Sequence, residues 1–258
     1  MHLRYDSHIH TSFSADSEMR AEEALEQAKR LGLGLVFTEH LDLGLPGDKD
    51  FTFDPEAYWK AYEPLRGERL LLGVEIGMTQ EFREENRVFA SRVPFDMVIG
   101  SIHLIDGHDL YYPEIYSERE KEDLYRTYLI SMAREVYHNN YIDTLAHIDY
   151  IARYATYGNP ELEYADFTEE LDAVLGALIV SDTVLELNTR RLSDRLAMKE
   201  LVPIYRRYRE LGGRYITIGS DAHAPEAVGA RYALAEEFAE HCSLRPVVFY
   251  ERQMEAFG

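Results

Sequence analysis

With 258 residues, 46% of them hydrophobic, the chain can bury one large core, and a single α/β barrel suits that length as well as two small domains do. Its 47 acidic residues against 27 basic ones give a net charge of −20, which argues against a nucleic-acid backbone as partner, although bound dications would locally reverse the sign. The single cysteine, Cys242, excludes a disulfide framework within the chain and a thiolate cluster, so a metal here is to be held by nitrogen and oxygen.

Residues 1–6 lack the apolar core of a signal peptide, and the longest apolar stretch, residues 174–180, is too short to span a bilayer; a cytoplasmic protein with no membrane partner is expected. Residues 3–7 read as a first strand leading through Asp6-Ser7-His8-Ile9-His10. Side chains alternate along an extended segment, so His8 and His10 point the same way and can grip one cation. Ser17 is the expected N-cap of a helix over residues 18–31, with Ala21, Ala24, Leu25, Ala28 and Leu31 on its apolar face, and Gly32 stops it. A second strand, residues 33–38, delivers Glu39 and His40; Glu39 should face away from its neighbour and reads as structural.

After a loop over residues 41–53, Asp54 and Pro55 open a helix as cap and first residue. Residues 70–74 form a third strand ending at Glu75, a polar helix covers 81–90, and a fourth strand over 95–100 delivers Ser101 and His103. The stretch 104–116, rich in Tyr, Asp and Gly, is the longest irregular segment and of a length that usually carries function. A helix over 118–138 leads to a fifth strand, 142–146, ending at His147, and then to a Tyr-rich loop between Arg153 and Asp166. A helix over 167–180 precedes a sixth strand, 184–187, which reaches Asn188 and Arg190. A helix over 200–211 is capped by Gly212 and Gly213, a seventh strand over 215–218 runs into Asp221-Ala222-His223, and residues 246–250 are a candidate last strand.

Strand and helix alternate throughout, which calls for a parallel sheet, and seven or eight such units suggest a barrel closed on itself. In such a barrel the C-terminal strand ends gather at one face, where His8, His10, His40, Glu75, His103, His147, Asp221 and His223 would converge. Asp16, in the loop before a helix, is the further carboxylate candidate, with Asp42 as its substitute; His2, His108, His138 and His241 read as ordinary surface or hydrogen-bonded residues. No G-x-G-x-x-G follows a strand and no G-x-S-x-G elbow exists, so dinucleotide-binding and serine-hydrolase readings have no footing.

His8-Ile9-His10 with Asp16, Thr38-Glu39-His40, Gly73-Val74-Glu75, Ser101-Ile102-His103, Ala146-His147-Ile148-Asp149 and Ser220-Asp221-Ala222-His223 resemble, in order and over nearly the whole chain, the motifs of the PHP (polymerase and histidinol phosphatase) superfamily. Within it, the segment from His147 through Asp149 to Arg153, Leu185-Glu186-Leu187-Asn188-Thr189 and Asp109-Leu110-Tyr111-Tyr112-Pro113-Glu114 resemble the stand-alone histidinol-phosphate phosphatases. The resemblance implies one domain over residues 1–258, a distorted seven-stranded (βα) TIM-like barrel, and a site for three divalent metal ions. By analogy His8, His10, Glu75 and Asp221 would hold one ion, Glu75, His103 and His147 a second, and Asp16, His40 and His223 a third. The position of Asp16 is a His in some relatives, which sets the third site apart.

The ligand set also indicates a chemistry. Imidazole with carboxylate admits zinc, manganese or iron. Two dications sharing Glu75 would lower the pKa of a water between them and align it for in-line attack on a phosphate ester. Arg153 and Arg190 are placed to clamp phosphoryl oxygens, and Asp221 or His223 could lead a water to the leaving alkoxide, so that Glu75, Asp221 and His223 carry the catalytic expectation. The resemblance implies hydrolysis of L-histidinol phosphate in histidine biosynthesis as the reaction, with Asp106, Asp109 or Glu114 expected to face the substrate amine. The alternatives are a PHP phosphoesterase for nucleotides or protein phosphotyrosine, and a non-catalytic metal-binding accessory domain.

Overall fold

The computed structural model describes residues 3–256, so Met1 and His2 lie outside the described residues. Seven strands form one parallel sheet in chain order: β1 (Arg4–Ile9), β2 (Leu33–Leu41), β3 (Leu70–Gly77), β4 (Met97–Ser101), β5 (Thr144–Leu145), β6 (Val184–Asn188) and β7 (Tyr215–Gly219). β2 and β3 are buried along their whole length, as near-continuous apolar strands are when both faces of a parallel sheet are covered. β8 (Arg245–Tyr250) pairs parallel with β7, and β9 (Gln253–Ala256) turns back antiparallel on β8.

The ring is not laddered evenly. At its start β7 takes β8 as neighbour, through Arg245 opposite Tyr215, whereas beyond its end the chain crosses to β1. There the Asp221 N–H donates to the His8 carbonyl (2.9 Å) and the His10 N–H to the Ala222 carbonyl (2.9 Å). The expected α/β architecture with its parallel sheet therefore stands; among the described residues β1 and β7 share no ladder, and backbone bonds join β1 to the chain just beyond β7.

Helices pack on this sheet in one large apolar cluster. α1 (Ala21–Leu31) buries Ala21, Ala24 and Ala28 and stops at Gly32 in the left-handed region. It starts later than expected because Ser17 does not cap it: the Ser17 hydroxyl reaches the carbonyls of His10 (2.9 Å) and His223 (3.1 Å), and the Arg20 N–H donates to Glu23 instead. α2 (Pro55–Tyr62) begins as the sequence indicates, with Asp54 accepting from the Glu56 N–H. α3 (Arg83–Ala90) follows β3. The stretch 104–116 is not irregular: Leu104–Ile105 and His108–Asp109 form a two-stranded ribbon, and α4 (Glu114–Glu118) starts within it. α5 (Lys121–His138), α6 (Tyr150–Tyr154), α7 (Thr168–Val180), α8 (Arg195–Glu210) and α9 (Tyr232–His241) complete the set. α8 begins before the expected residue 200, because Asp194 caps it through the Leu196 and Ala197 N–H groups. Among the described residues no helix is long and apolar enough to cross a membrane.

A second apolar cluster joins Val247, Val248 and Phe249 of β8 to Tyr5, Val36, Leu71 and Met97. The β8–β9 hairpin is tied there by Asp96, which accepts from Arg66 (2.6 and 2.9 Å), the Leu72 N–H and the Glu251 N–H. Arg252 adds an ion pair to Asp143 (2.5 Å).

Candidate metal centre

Parallel strands deliver their last residues to one end, and all nine sequence-predicted ligand candidates gather there. Glu75, fully buried in β3, lies at the middle: its Oε2 is 3.0 Å from His40 Nδ1, 3.3 Å from His8 Nε2 and 3.5 Å from His10 Nε2. Its Oε1 is 3.0 Å from His147 Nε2 and 3.5 Å from His103 Nε2, and it accepts the Ser101 hydroxyl. Asp221 Oδ1 sits 3.5 Å from His10 Nε2 and 3.9 Å from His8 Nε2. Asp16 Oδ2 is 3.2 Å from His223 Nε2 and 3.7 Å from His40 Nε2. Asp42 lies instead on His103 Nδ1 (2.7 Å), with its other oxygen 3.3 Å from His40 Nδ1.

Burial disfavours a charge on Glu75, yet the imidazoles of His8, His103 and His40 outweigh it and hold the carboxyl well below its ordinary range. Asp221 is held down in the same way, against burial, by His8 and Arg153. Burial pushes His147 below the usual imidazole value, the direction that favours the neutral ring a cation needs. Asp221 also has a left-handed backbone (φ 56°), a conformation a short polar side chain tolerates; it lets one residue bond β1 by its N–H and face the cluster by its carboxylate.

The donor set fits cations. His8 Nε2, His10 Nε2, His40 Nδ1 and Glu75 Oε2 are buried with no hydrogen-bond partner, a costly arrangement for polar atoms unless something binds them. Among the described residues four groups could each surround an ion: His8, His10 and Asp221; His8, Glu75 and His147; His10, His40 and His223; His40, Asp42 and His103. The grouping differs from the family analogy at His103, which reaches Glu75 but groups with Asp42 and His40, and at Asp16, which is in none of the four groups, His10 standing with His40 and His223 instead.

The cluster opens into a cavity of about 650 Å³, walled also by Phe51, Asp109, Tyr111, Tyr112, Tyr154 and the two arginines. Arg153, on α6, is 5% exposed and donates from Nη1 to Asp221 Oδ2 (2.6 Å), while its Nε and Nη2 have no partner. Arg190 is 48% exposed and 3.9 Å from the same oxygen. Of the three acidic residues expected near the substrate amine, Asp109 alone lines the cavity, its Oδ1 fixed by the Tyr111 N–H. Asp106 pairs with Arg119 (2.9 Å), and Glu114 is exposed outside the cavity. His108, His138 and His241 lie away from the centre.

Glu186, which the sequence places within the resemblance but gives no role of its own, supports two of the histidines. Fully buried in β6, it holds His8 Nδ1 on Oε1 (2.6 Å) and takes the His147 N–H (2.9 Å) and Asn188 Nδ2 (3.1 Å) on Oε2. A Glu between two leucines in a strand of full burial was its signal, since such a carboxylate needs a partner.

The model of the PHP domain family matches residues 6–190. A probable histidinol-phosphatase of Clostridium acetobutylicum is 43% identical over 251 residues, 97% of this chain and 98% of that one. The histidinol-phosphatase of Lactococcus lactis subsp. lactis is 33% identical over 227 residues, 85% of this chain and 84% of that one. A crystal structure of histidinol phosphate phosphatase from Lactococcus lactis, complexed with zinc, L-histidinol and phosphate, resembles this fold with a TM-score of 0.90 at 29% identity, over 98% of each chain.

Proposed function

The chain belongs to the PHP family, and on that premise we propose that it is a metal-dependent phosphomonoesterase that hydrolyses L-histidinol phosphate to L-histidinol and phosphate. The observation that carries the reading is Arg153: a nearly buried guanidinium with two unpartnered donor nitrogens, facing the same cavity as a carboxylate ringed by imidazoles. Buried N–H groups of that kind call for an oxyanion, and a planar fork matches phosphate. Relatives named as histidinol phosphatases, one of them with zinc, L-histidinol and phosphate, support the choice of ester.

In this reading His8, His10, Asp16, His40, Glu75, His103, His147, Asp221 and His223 hold three divalent ions of zinc, manganese or iron. When bound, such ions stabilise charge developing on the phosphoryl group and lower the pKa of water toward neutrality. Arg153 and, at the cavity rim, Arg190 fix the phosphoryl oxygens, and Asp221 or His223, both in the cavity wall, leads a water to the leaving alkoxide. Asp109, whose Oδ1 takes the Tyr111 N–H, is the carboxylate of the cavity wall assigned to the substrate amine. The chain acts as a single PHP unit in the cytoplasm, on a small phosphorylated substrate and not on nucleic acid or membrane.

Phosphate release from a panel of esters by protein reconstituted with zinc, manganese or iron tests this. L-histidinol phosphate should show the highest kcat/KM. A higher value on a nucleotide or a phosphotyrosine peptide overturns the substrate, and no release from any ester points to an accessory metal-binding domain.

A further inference from the structure

An imidazole can offer a cation only one nitrogen at a time, and the other must keep or find its proton elsewhere. Four rings of the centre have Nδ1 hydrogen-bonded to an oxygen: His8 on Glu186 Oε1 (2.6 Å), His103 on Asp42 Oδ1 (2.7 Å), His223 on the Asp221 carbonyl (2.9 Å) and His10 on Ser14 Oγ (3.1 Å). All four direct Nε2 at Glu75, Asp221 or Asp16. A carboxylate or carbonyl oxygen can only accept, so the proton is held on Nδ1.

Ser14 could play either part, but its hydroxyl donates to Glu39 Oε2 (2.7 Å). Its lone pairs then take the His40 N–H (3.1 Å) and the proton of His10 Nδ1. Glu39 is itself fixed by the Thr11 N–H (2.9 Å) and hydroxyl (2.6 Å). Room for two of these carboxylates comes from missing side chains: a Cβ on Gly77 would stand 1.9 Å from Asp42 Oδ1, and one on Gly219 would stand 2.5 Å from Glu186 Oε1. His147 lacks such a partner, its Nδ1 being buried and unbonded, and His40 turns Nδ1 inward to Glu75. The four rings are thus a selected subset.

We propose that Glu186, Asp42 and the Glu39–Ser14 pair are positioning residues that pin the Nδ1 protons of His8, His103 and His10, so that Nε2 is the nitrogen each ring presents to a cation. The inference rests on the centre binding cations and is independent of which ester is hydrolysed. It changes the reading of Glu39, which the sequence assigns to structure alone.

Glu186→Gln is the discriminating variant because it keeps the shape. Two donors, the His147 N–H and Asn188 Nδ2, hold the amide oxygen where Oε2 was, so the new NH2 group faces His8 Nδ1 and requires it to accept. Nitrogen-15 NMR of histidine rings in the zinc-loaded wild-type protein should show His8, His10 and His103 protonated on Nδ1 and coordinated through Nε2. In Glu186→Gln the His8 Nδ1–H signal should vanish, with zinc affinity by chelator competition falling about 10- to 100-fold. Ser14→Ala applies the same readout to His10, should Glu186→Gln fail to fold. Wild-type rings coordinated through Nδ1 overturn the proposal without any variant. A folded variant that keeps its Nδ1–H signal, or that loses it at unchanged zinc affinity, overturns it too.

Discussion

The two arginines at the cavity differ in what surrounds them, and their substitution should separate accordingly. Arg153 is buried against Asp221 with two donors unpartnered, whereas Arg190 is half-exposed and lies farther from that carboxylate. Arg153→Ala should cost about 2 to 5 kcal/mol in kcat/KM, comparably on L-histidinol phosphate and on a bare aryl phosphate, since the proposed role sets it against the group both share. Arg190→Ala should cost no more than about 1 kcal/mol, because water already solvates that guanidinium. Equal losses from the two would mean that a closed state buries Arg190. At this scale the sequence was legible wherever a residue stood at a strand end: His8, His10, His40, Glu75, His103, His147, Asp221 and His223 are where the alternation rule places them. It was less legible for Asp16 and Asp42, each a loop-side carboxylate near His40; the pairing of Asp42 with His103 joins residues far apart in the chain, which spacing does not reveal.

For whole elements, existence was easier to read than extent. Each of β1 to β7 is expected from the sequence, but β2 and β3 run on past the expected ends because pairing between neighbours continues to Leu41 and Ile76. Helix starts differ from expectation where a capping side chain has another use or stands ahead of the expected helix. Ser17 looks like a cap and serves the carbonyls of His10 and His223, while Asp194, six residues ahead of the expected start, caps α8 by two N–H groups. Asp194→Ala should therefore lower stability by about 1 kcal/mol in denaturant melts, with kcat/KM unchanged, since its work is confined to the helix terminus. Unchanged stability would show that α8 is held by its packed face alone. The ribbon within residues 104–116 escaped because two-residue strands carry too few side chains for a period to register.

At the scale of the molecule, the β8–β9 hairpin is the part whose importance the sequence understated, since residues 246–250 read only as a candidate strand. Val247, Val248 and Phe249 are all buried, and at roughly 1.5 to 3 kcal/mol per side chain their removal approaches the 5 to 15 kcal/mol by which whole domains are stable. Asp96 and Asp143 would also lose their partners on Glu251 and Arg252. Truncation before residue 245 should abolish the cooperative thermal transition, whereas a truncated chain that melts within a few degrees of the full one would show the hairpin to be an ornament.

The junction between β1 and the chain beyond β7 joins these scales. It is fastened by the backbones of His8, His10, Asp221 and Ala222, and three of those four residues aim their side chains into the cluster. The hoop and its buckle are one object. Whatever draws the imidazoles of His8 and His10 toward the carboxylate of Asp221 also cinches the ends of the sheet, so a cation bound there is a fastener of the fold as well as a reagent. Stripping it should slacken the sheet where β1 meets the chain beyond β7.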